Sequence, residues 1–332
     1  MMYITDHYKV KTMEENKMLN YIESVLVNMP KGWLDLTTHR LDIYNERLAK
    51  TQFLEQFEIL FNNNNFESSS LDELPTAYDY IRLGHPLSCL LEWVIAKLNN
   101  LKPNNVISFG SKTIPVLAIL RNNLLENKNT QIRYVGELPD CFDAEILRSI
   151  YGYKFDLKQV DKAEDVTSFD GSIVFVSQCD NICIFENAPK VDFYVNVHRH
   201  LGSILLINGE QNESYISEIQ HVRRRETIAM TPANSLAVLE SLVEKSTSGI
   251  NRNDVERDKI LVRESINEIT ATTTKPLVGS SGLSIQYAIM MGLIHDALEN
   301  HKGKDIKIVV PPNCYGGTND QARRVAACID NV

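Results

Sequence analysis

The sequence has no apolar run near the ~20 residues that a helix needs to cross a bilayer, and its opening stretch, MMYITDHYKVKTMEENK, lacks the apolar core of a signal peptide. Both absences point to a cytoplasmic chain with no membrane partner. Positive charge is in deficit as well: 34 Lys and Arg stand against 43 Asp and Glu, a net charge of -9. A surface built for a phosphate backbone needs the opposite balance, so no nucleic-acid partner is expected. The densest basic run, Arg223, Arg224 and Arg225 beside His221, reads as a solvated helix face or a linker. Cysteine is sparse, six in 332 residues, which suits reduced thiols rather than a disulfide framework. Cys179 and Cys183 have C-x3-C spacing with no second pair, and His198 and His200 alternate along a strand without further ligands, so no metal is expected.

What the chain does have is an ordinary globular composition, 43% apolar and 23% charged, over a length that suits more than one domain. Apolar residues three and four apart in NKMLNYIESVLVNM and RLAKTQFLEQFEILF predict helices between residues 14 and 61, and the polar stretch NNNNFESSSLDELP that follows reads as a loop. From there strands (NNVISFG, TQIRYVGE, SIVFVS, GSILLING) alternate with helical stretches (PLSCLLEWVIAKLNNL, SKTIPVLAILRNNLL, AEILRSIYG). Such alternation predicts an α/β fold, a Rossmann-like, doubly wound parallel sheet with helices on both faces. After ETIAMTPANSLAVLESLVEK comes DVERDKILVRESINEIT, whose acids and bases at helical neighbour spacing predict an exposed helix. A turn, GSSGLS, then opens a mostly apolar helix; IKIVVPP reads as a buried strand, CYGGTN as a glycine turn and DQARRVAACI as a last helix. The expected divisions are a helical segment over 1–75, a Rossmann-like domain over 76–230 and a further unit over 231–332.

Two glycine segments carry the sharpest chemical signal. Small residues at a helix start leave backbone N–H groups free and let a phosphate approach them, which GSSGLS permits, although Ser280 or Ser281 could equally serve as an ordinary N-cap. A tyrosine before paired glycines, as in CYGGTN, can lie flat on an aromatic ligand or cap a tight turn. In order, spacing and wording, SSGL at a helix start, then YGGTN after a strand, then a helix with RRVA, resembles the cystathionine γ-lyase and γ-synthase family of pyridoxal-phosphate (PLP) enzymes. That resemblance covers the last 70 or so residues. It implies the first part of a PLP-transferase large domain of the aspartate aminotransferase fold type I, with Gly282 and Leu283 at the cofactor phosphate and Tyr315 stacked on its ring. It further implies elimination or replacement at the β or γ carbon of a small amino-acid substrate, in an enzyme that assembles as a homo-oligomer. The family's Schiff-base lysine and ring-nitrogen aspartate lie downstream of the tyrosine turn, so the chain is expected to be the front part of such an enzyme. Lys275 in TTTKP precedes the phosphate segment, the wrong order for that lysine, and reads as a surface residue.

The glycine triad of a dinucleotide site is missing, since only Gly110 follows the first strand. An S-adenosylmethionine (SAM) site asks for less. GSKTIP, FDGSIVFVSQCDN and HLGSILLIN are similar to class I SAM-dependent transferases, nearest the nicotianamine synthases. That likeness places Gly110 and Ser111 beside SAM, Glu137 at its ribose and Asp180 near an acceptor pocket. The alternatives to a PLP enzyme are therefore a SAM-dependent transferase acting on a small amino-acid-like acceptor, or a non-catalytic interaction module built on the Rossmann-like scaffold.

Overall fold

A computed structural model describes residues 12–35, 46–75, 77, 80–139, 141–179, 188–243 and 252–332. The first helices are α1 (Met13–Asn28), α2 (Glu46–Asn62) and the short α3 (Ser68–Asp72). Helix α1 starts where Thr12 and Glu15 form a reciprocal capping box, which satisfies two of the orphan donors of its first turn. Helix α4 (Pro86–Leu98) has proline at its first position, where no N–H is needed, and is capped by His85.

Six strands follow: β1 (Val106–Phe109), β2 (Thr130–Val135), β3 (Asp156–Gln159), β4 (Ser172–Cys179), β5 (Phe193–His198) and β6 (Gly202–Ile207). They form one sheet in the order β1-β6-β5-β4-β2-β3. Strands β3, β2, β4 and β5 are mutually parallel, whereas β6 runs antiparallel to both β5 and β1. The expected parallel sheet is thus a mixed one, and β1 lies at an edge rather than in the middle. The β5–β6 hairpin explains the difference, because its short turn sends β6 straight back alongside β5. Gly202 (φ +119°) then lets β6 start hard against the end of β1, where a Cβ would strike the Phe109 carbonyl.

Alternate residues of the strands feed two cores. On one face Val106, Ile173, Tyr194, Ile204 and Leu206 pack with α1, α2, α4 and α8 (Pro232–Leu242). On the other, Ile107, Phe109, Val174, Val195 and Leu205 pack with α5 (Ile114–Leu125), α6 (Ala144–Ser149) and α7 (Tyr215–Glu226). The sheet is therefore covered on both faces, as the alternation of strand and helix predicted.

Helix α9 (Arg252–Thr270) has no buried residue among those of its side chains that are described, in keeping with its reading as an exposed helix. Helices α10 (Gly282–Asn300) and α11 (Gly316–Ala326) pack through Tyr287, Met291, Ile294 and Val325, joined by Ile329 just beyond α11, onto Ile150 just beyond α6. The IKIVVPP stretch between them forms no strand and joins no sheet, so the buried strand expected there is absent from the described structure. Lys307 and Val309 are exposed.

Candidate functional site

The starts of α10 and α11 meet. Ser281 caps α10, its hydroxyl accepting from the Ser284 N–H at 3.1 Å while Ser284 Oγ accepts from the Ser281 N–H at 3.0 Å. Tyr315 occupies the equivalent position of α11 without any side-chain cap, and its carbonyl accepts from the Thr318 N–H at 2.9 Å. Gln321, buried to 1% exposure, ties the two helices by donating to the Leu283 carbonyl at 2.8 Å. Gln286 donates to Gln321 Oε1 and accepts from Thr318 Oγ1, both at 2.8 Å. Gly317 lies beneath this junction: a Cβ there would fall 2.6 Å from Tyr315 Cε1 and 2.9 Å from Leu283 Cδ1. A larger residue there would have to displace the Tyr315 ring and the Leu283 side chain. At Gly282 and Gly316, by contrast, a Cβ would meet nothing within 4 Å, so both first turns open outward.

Arginines from the sheet domain face this junction. Arg82 Nη2 donates to the Tyr315 hydroxyl at 3.2 Å, and its guanidinium lies 4.5 Å from the Tyr80 ring centroid. The Arg82 hydrogen bond, assisted by the charges of Arg82, Arg225 and Arg224, holds the Tyr315 phenol below its ordinary pKa against a weaker opposing effect of burial. Asp320 offsets part of this positive field through His221 at 2.8 Å and Arg225 at 3.1 Å. Two helix N-termini and three arginines around a phenol ring that is 59% exposed make a place for an anion carried on a flat ring.

The arrangement brings Gly282, Leu283 and Tyr315 together. The Leu283 side chain is buried, so that residue could meet a phosphate only through its backbone. Ser281 is an ordinary N-cap, as the cap reading of this turn expected. Arg82, Gln286 and Gln321 were not foreseen. Arg82 is 233 residues from Tyr315, and no local pattern announces such a pairing. Lys275 is exposed between α9 and α10, and among the described residues no lysine bonds to Tyr315, Gln286 or Gln321.

The residues expected to surround SAM are not gathered. Three strands separate β1 from β2, which puts Gly110 and Ser111 about 19 Å from Glu137 at the ~4.8 Å strand spacing. Gly110 is also closed in: its N–H donates to the Ile228 carbonyl at 3.0 Å, and a Cβ would meet Ile228 Cγ1 at 3.0 Å. Ser111 Oγ accepts from the N–H groups of Thr113 and Ile114 at the start of α5. Glu137 is exposed, and Asp180 and Cys183 lie outside the described residues. The cause is the edge position of β1, since in an open α/β sheet the ligand crevice forms where the strand order reverses, here between β2 and β4. His198 and His200 do not share a strand: His198 ends β5, and its Nδ1 accepts from the His200 and Leu201 N–H groups of the turn.

No protein-family profile matches the chain. No curated protein matches it either. Among solved structures, cystathionine γ-lyase from yeast overlaps 76% of this chain and 67% of its own at 10% identity, with a TM-score of 0.41. The metB protein from Corynebacterium glutamicum overlaps 60% of this chain and 59% of its own at 14% identity and a TM-score of 0.34. L-threonine-O-3-phosphate decarboxylase from Porphyromonas gingivalis overlaps 72% and 87% at 11% identity and a TM-score of 0.31. Overlaps this loose carry no argument about function, which rests on the residues themselves.

Proposed function

We propose that the α10–α11 junction binds a phosphate-bearing aromatic cofactor, pyridoxal 5'-phosphate, and that the chain serves an enzyme of sulfur amino-acid metabolism. The observation that carries this reading is the meeting of Leu283 and Tyr315 over Gly317, with Arg82 on the phenol. Residues picked by motif wording 32 positions apart become neighbours around a positive field. The donor set suits the phosphate, because the open first turns at Gly282 and Gly316 present N–H groups and Arg82, Arg224 and Arg225 supply charge. The exposed Tyr315 ring suits the pyridine. When bound, the cofactor supplies an electron sink for carbanion chemistry at an amino-acid substrate. This chain's residues would hold and orient it: Gln321 and Gln286 fix the spacing of the two helix starts, and Arg82 fixes the tilt of the Tyr315 ring. Among the described residues no lysine bonds to Tyr315, Gln286 or Gln321, so these residues would hold the cofactor without tethering it covalently.

Calorimetric titration with PLP, pyridoxal and inorganic phosphate tests the proposal. PLP should bind at least about tenfold more tightly than pyridoxal, since the missing phosphate forfeits charge-assisted hydrogen bonds. Tyr315→Ala and Arg82→Ala should each weaken PLP. Equal affinity for PLP and pyridoxal, or binding indifferent to both substitutions, would remove the proposal.

A further inference from the structure

The end of α7 carries charges that part in different directions. Arg223 turns inward to Glu92 at 2.9 Å, and Glu226 pairs with Arg121. Arg225 turns toward α11, where its Nε lies 3.1 Å from Asp320 Oδ2. His221, one turn earlier, brings its Nε2 to 2.8 Å from the same oxygen. Further along this seam Arg324 of α11 meets Glu218 of α7 at 3.2 Å. The Asp320 cluster adjoins the proposed cofactor site. Gln321, the next residue, donates to the Arg225 carbonyl at 2.6 Å and to the Leu283 carbonyl at 2.8 Å, so one amide spans the end of α7 and the start of α10. Arg82 likewise donates to the Arg224 carbonyl at 3.1 Å and to the Tyr315 hydroxyl at 3.2 Å.

We infer that Asp320 sets the charge selectivity of this site, an inference that rests on the anion-binding reading given above. The Arg225–Asp320 pair is neutral as a unit, so the carboxylate withholds one positive charge from an incoming ligand. A single phosphate monoester still meets the helix starts and Arg82, but the additional charge of a pyrophosphate gains nothing from Arg225. Specificity is a difference of affinities, and a fixed carboxylate beside an anion site acts against the more highly charged competitor. The pair is partly exposed, with 18% of the Arg225 side chain and 30% of the Asp320 side chain accessible, so it contributes little to folding. Its position beside the Leu283 and Tyr315 turns makes its charge felt by the ligand instead.

Calorimetric titration of the full chain with inorganic phosphate and with pyrophosphate, at one pH and ionic strength, is the test. Wild type should bind the two within about threefold of each other. Asp320→Asn keeps the shape of the side chain and removes its charge; it should tighten phosphate about threefold and pyrophosphate about tenfold. The double variant Asp320→Asn/Arg225→Gln is neutral again and should return the ratio to within about twofold of wild type. A ratio unchanged by Asp320→Asn overturns the inference, as does a double variant that keeps the raised ratio. Should Asp320→Asn loosen α11 and lose both anions, Arg225→Gln decides, because it leaves the carboxylate bare: pyrophosphate should weaken more than phosphate, and equal weakening overturns the inference. A wild-type chain that binds neither anion removes the site and the inference together. One that fails to separate PLP from pyridoxal, yet shows the change of ratio, strikes the cofactor and upholds the role of Asp320.

Discussion

The sheet has two edge strands, β1 and β3, and they treat their open edges in opposite ways. Along the outer edge of β1, side chains take the place of a partner strand. Glu92 of α4 accepts from the Ser108 N–H and hydroxyl, both at 2.8 Å; Arg223 of α7 donates to the Ser108 carbonyl at 3.1 Å; Lys50 of α2 donates to the Val106 carbonyl at 3.3 Å. These charges also bind one another, Lys50 to Glu92 at 2.5 Å and Arg223 to Glu92 at 2.9 Å, and all three are 3% exposed or less. Strand β3 has no such cover, and three of its four residues are exposed. The contrast teaches that an open edge is expensive to bury but simple to leave in water, and that water leaves it free to recruit a strand.

Breaking the covered edge should produce the largest effect. Glu92→Leu strands two buried cations and the Ser108 N–H, and is expected to cost about 3–5 kcal/mol in denaturant unfolding. Lys50→Met should cost less, since it leaves Glu92 and Arg223 paired and removes one cation together with its carbonyl contacts. If both cost the same, Glu92 is not the centre of the cluster. Burial alone would raise the Glu92 pKa, but Lys50 and Arg223 together hold it below the ordinary carboxylate value. Stability owed to this group is present above the unfolded carboxylate pKa and is lost as pH falls through the lower folded value.

His85 beside this cluster gives the next effect. Its Nδ1 accepts from the Ser88 N–H at 3.2 Å and its Nε2 lies 2.7 Å from the Met230 carbonyl, which assigns the neutral Nε2–H tautomer. Burial is the main cause that lowers its pKa from 6.5 to about 4. Between those values the unfolded chain takes up a proton that the folded chain refuses. Stability should therefore decline as pH drops from 6.5 to about 4, by about 3 kcal/mol in all, and level off below. His85→Asn keeps a capping side chain and should flatten that part of the curve in pH-dependent urea unfolding.

The same comparison marks what the sequence could tell. Helices and most strands were legible because their apolar periods are local: α4, α5 and β4 fall where the pattern put them. The sheet order was not, because pairing is decided by the β5–β6 hairpin and by contacts such as Gly202 on Phe109, which no local pattern encodes. The charged plug joins Lys50, Glu92 and Arg223 from three helices, and Arg223 had read as part of a solvated face for that reason. IKIVVPP was read as a buried strand, yet it forms none and Lys307 and Val309 are exposed, since composition reports strand propensity and not the presence of a neighbour. The α10–α11 junction was legible in part. Motif order located Gly282, Leu283 and Tyr315, while Arg82 became visible only in three dimensions.

The smallest expected effect separates two arginine–tyrosine pairs at the seam between the sheet domain and the last two helices. Arg121 donates to the Tyr287 hydroxyl at 2.8 Å, and Arg82 to that of Tyr315 at 3.2 Å. The partners are alike, yet the phenols shift in opposite directions. Tyr287 is buried, with Glu226 beside it already paired to Arg121, so desolvation and the carboxylate outweigh the arginine and its pKa rises well above the ordinary value. Tyr315 is 59% exposed, and there the Arg82 hydrogen bond, joined by the arginine charges, prevails over burial. In an ultraviolet alkaline titration of the folded chain, Tyr315→Phe should therefore remove an early-ionising phenol. Arg82→Ala should move that phenol upward in pH while leaving the late fraction untouched. An early fraction unchanged by Arg82→Ala would mean that the guanidinium is not what tunes the ring proposed to carry the cofactor.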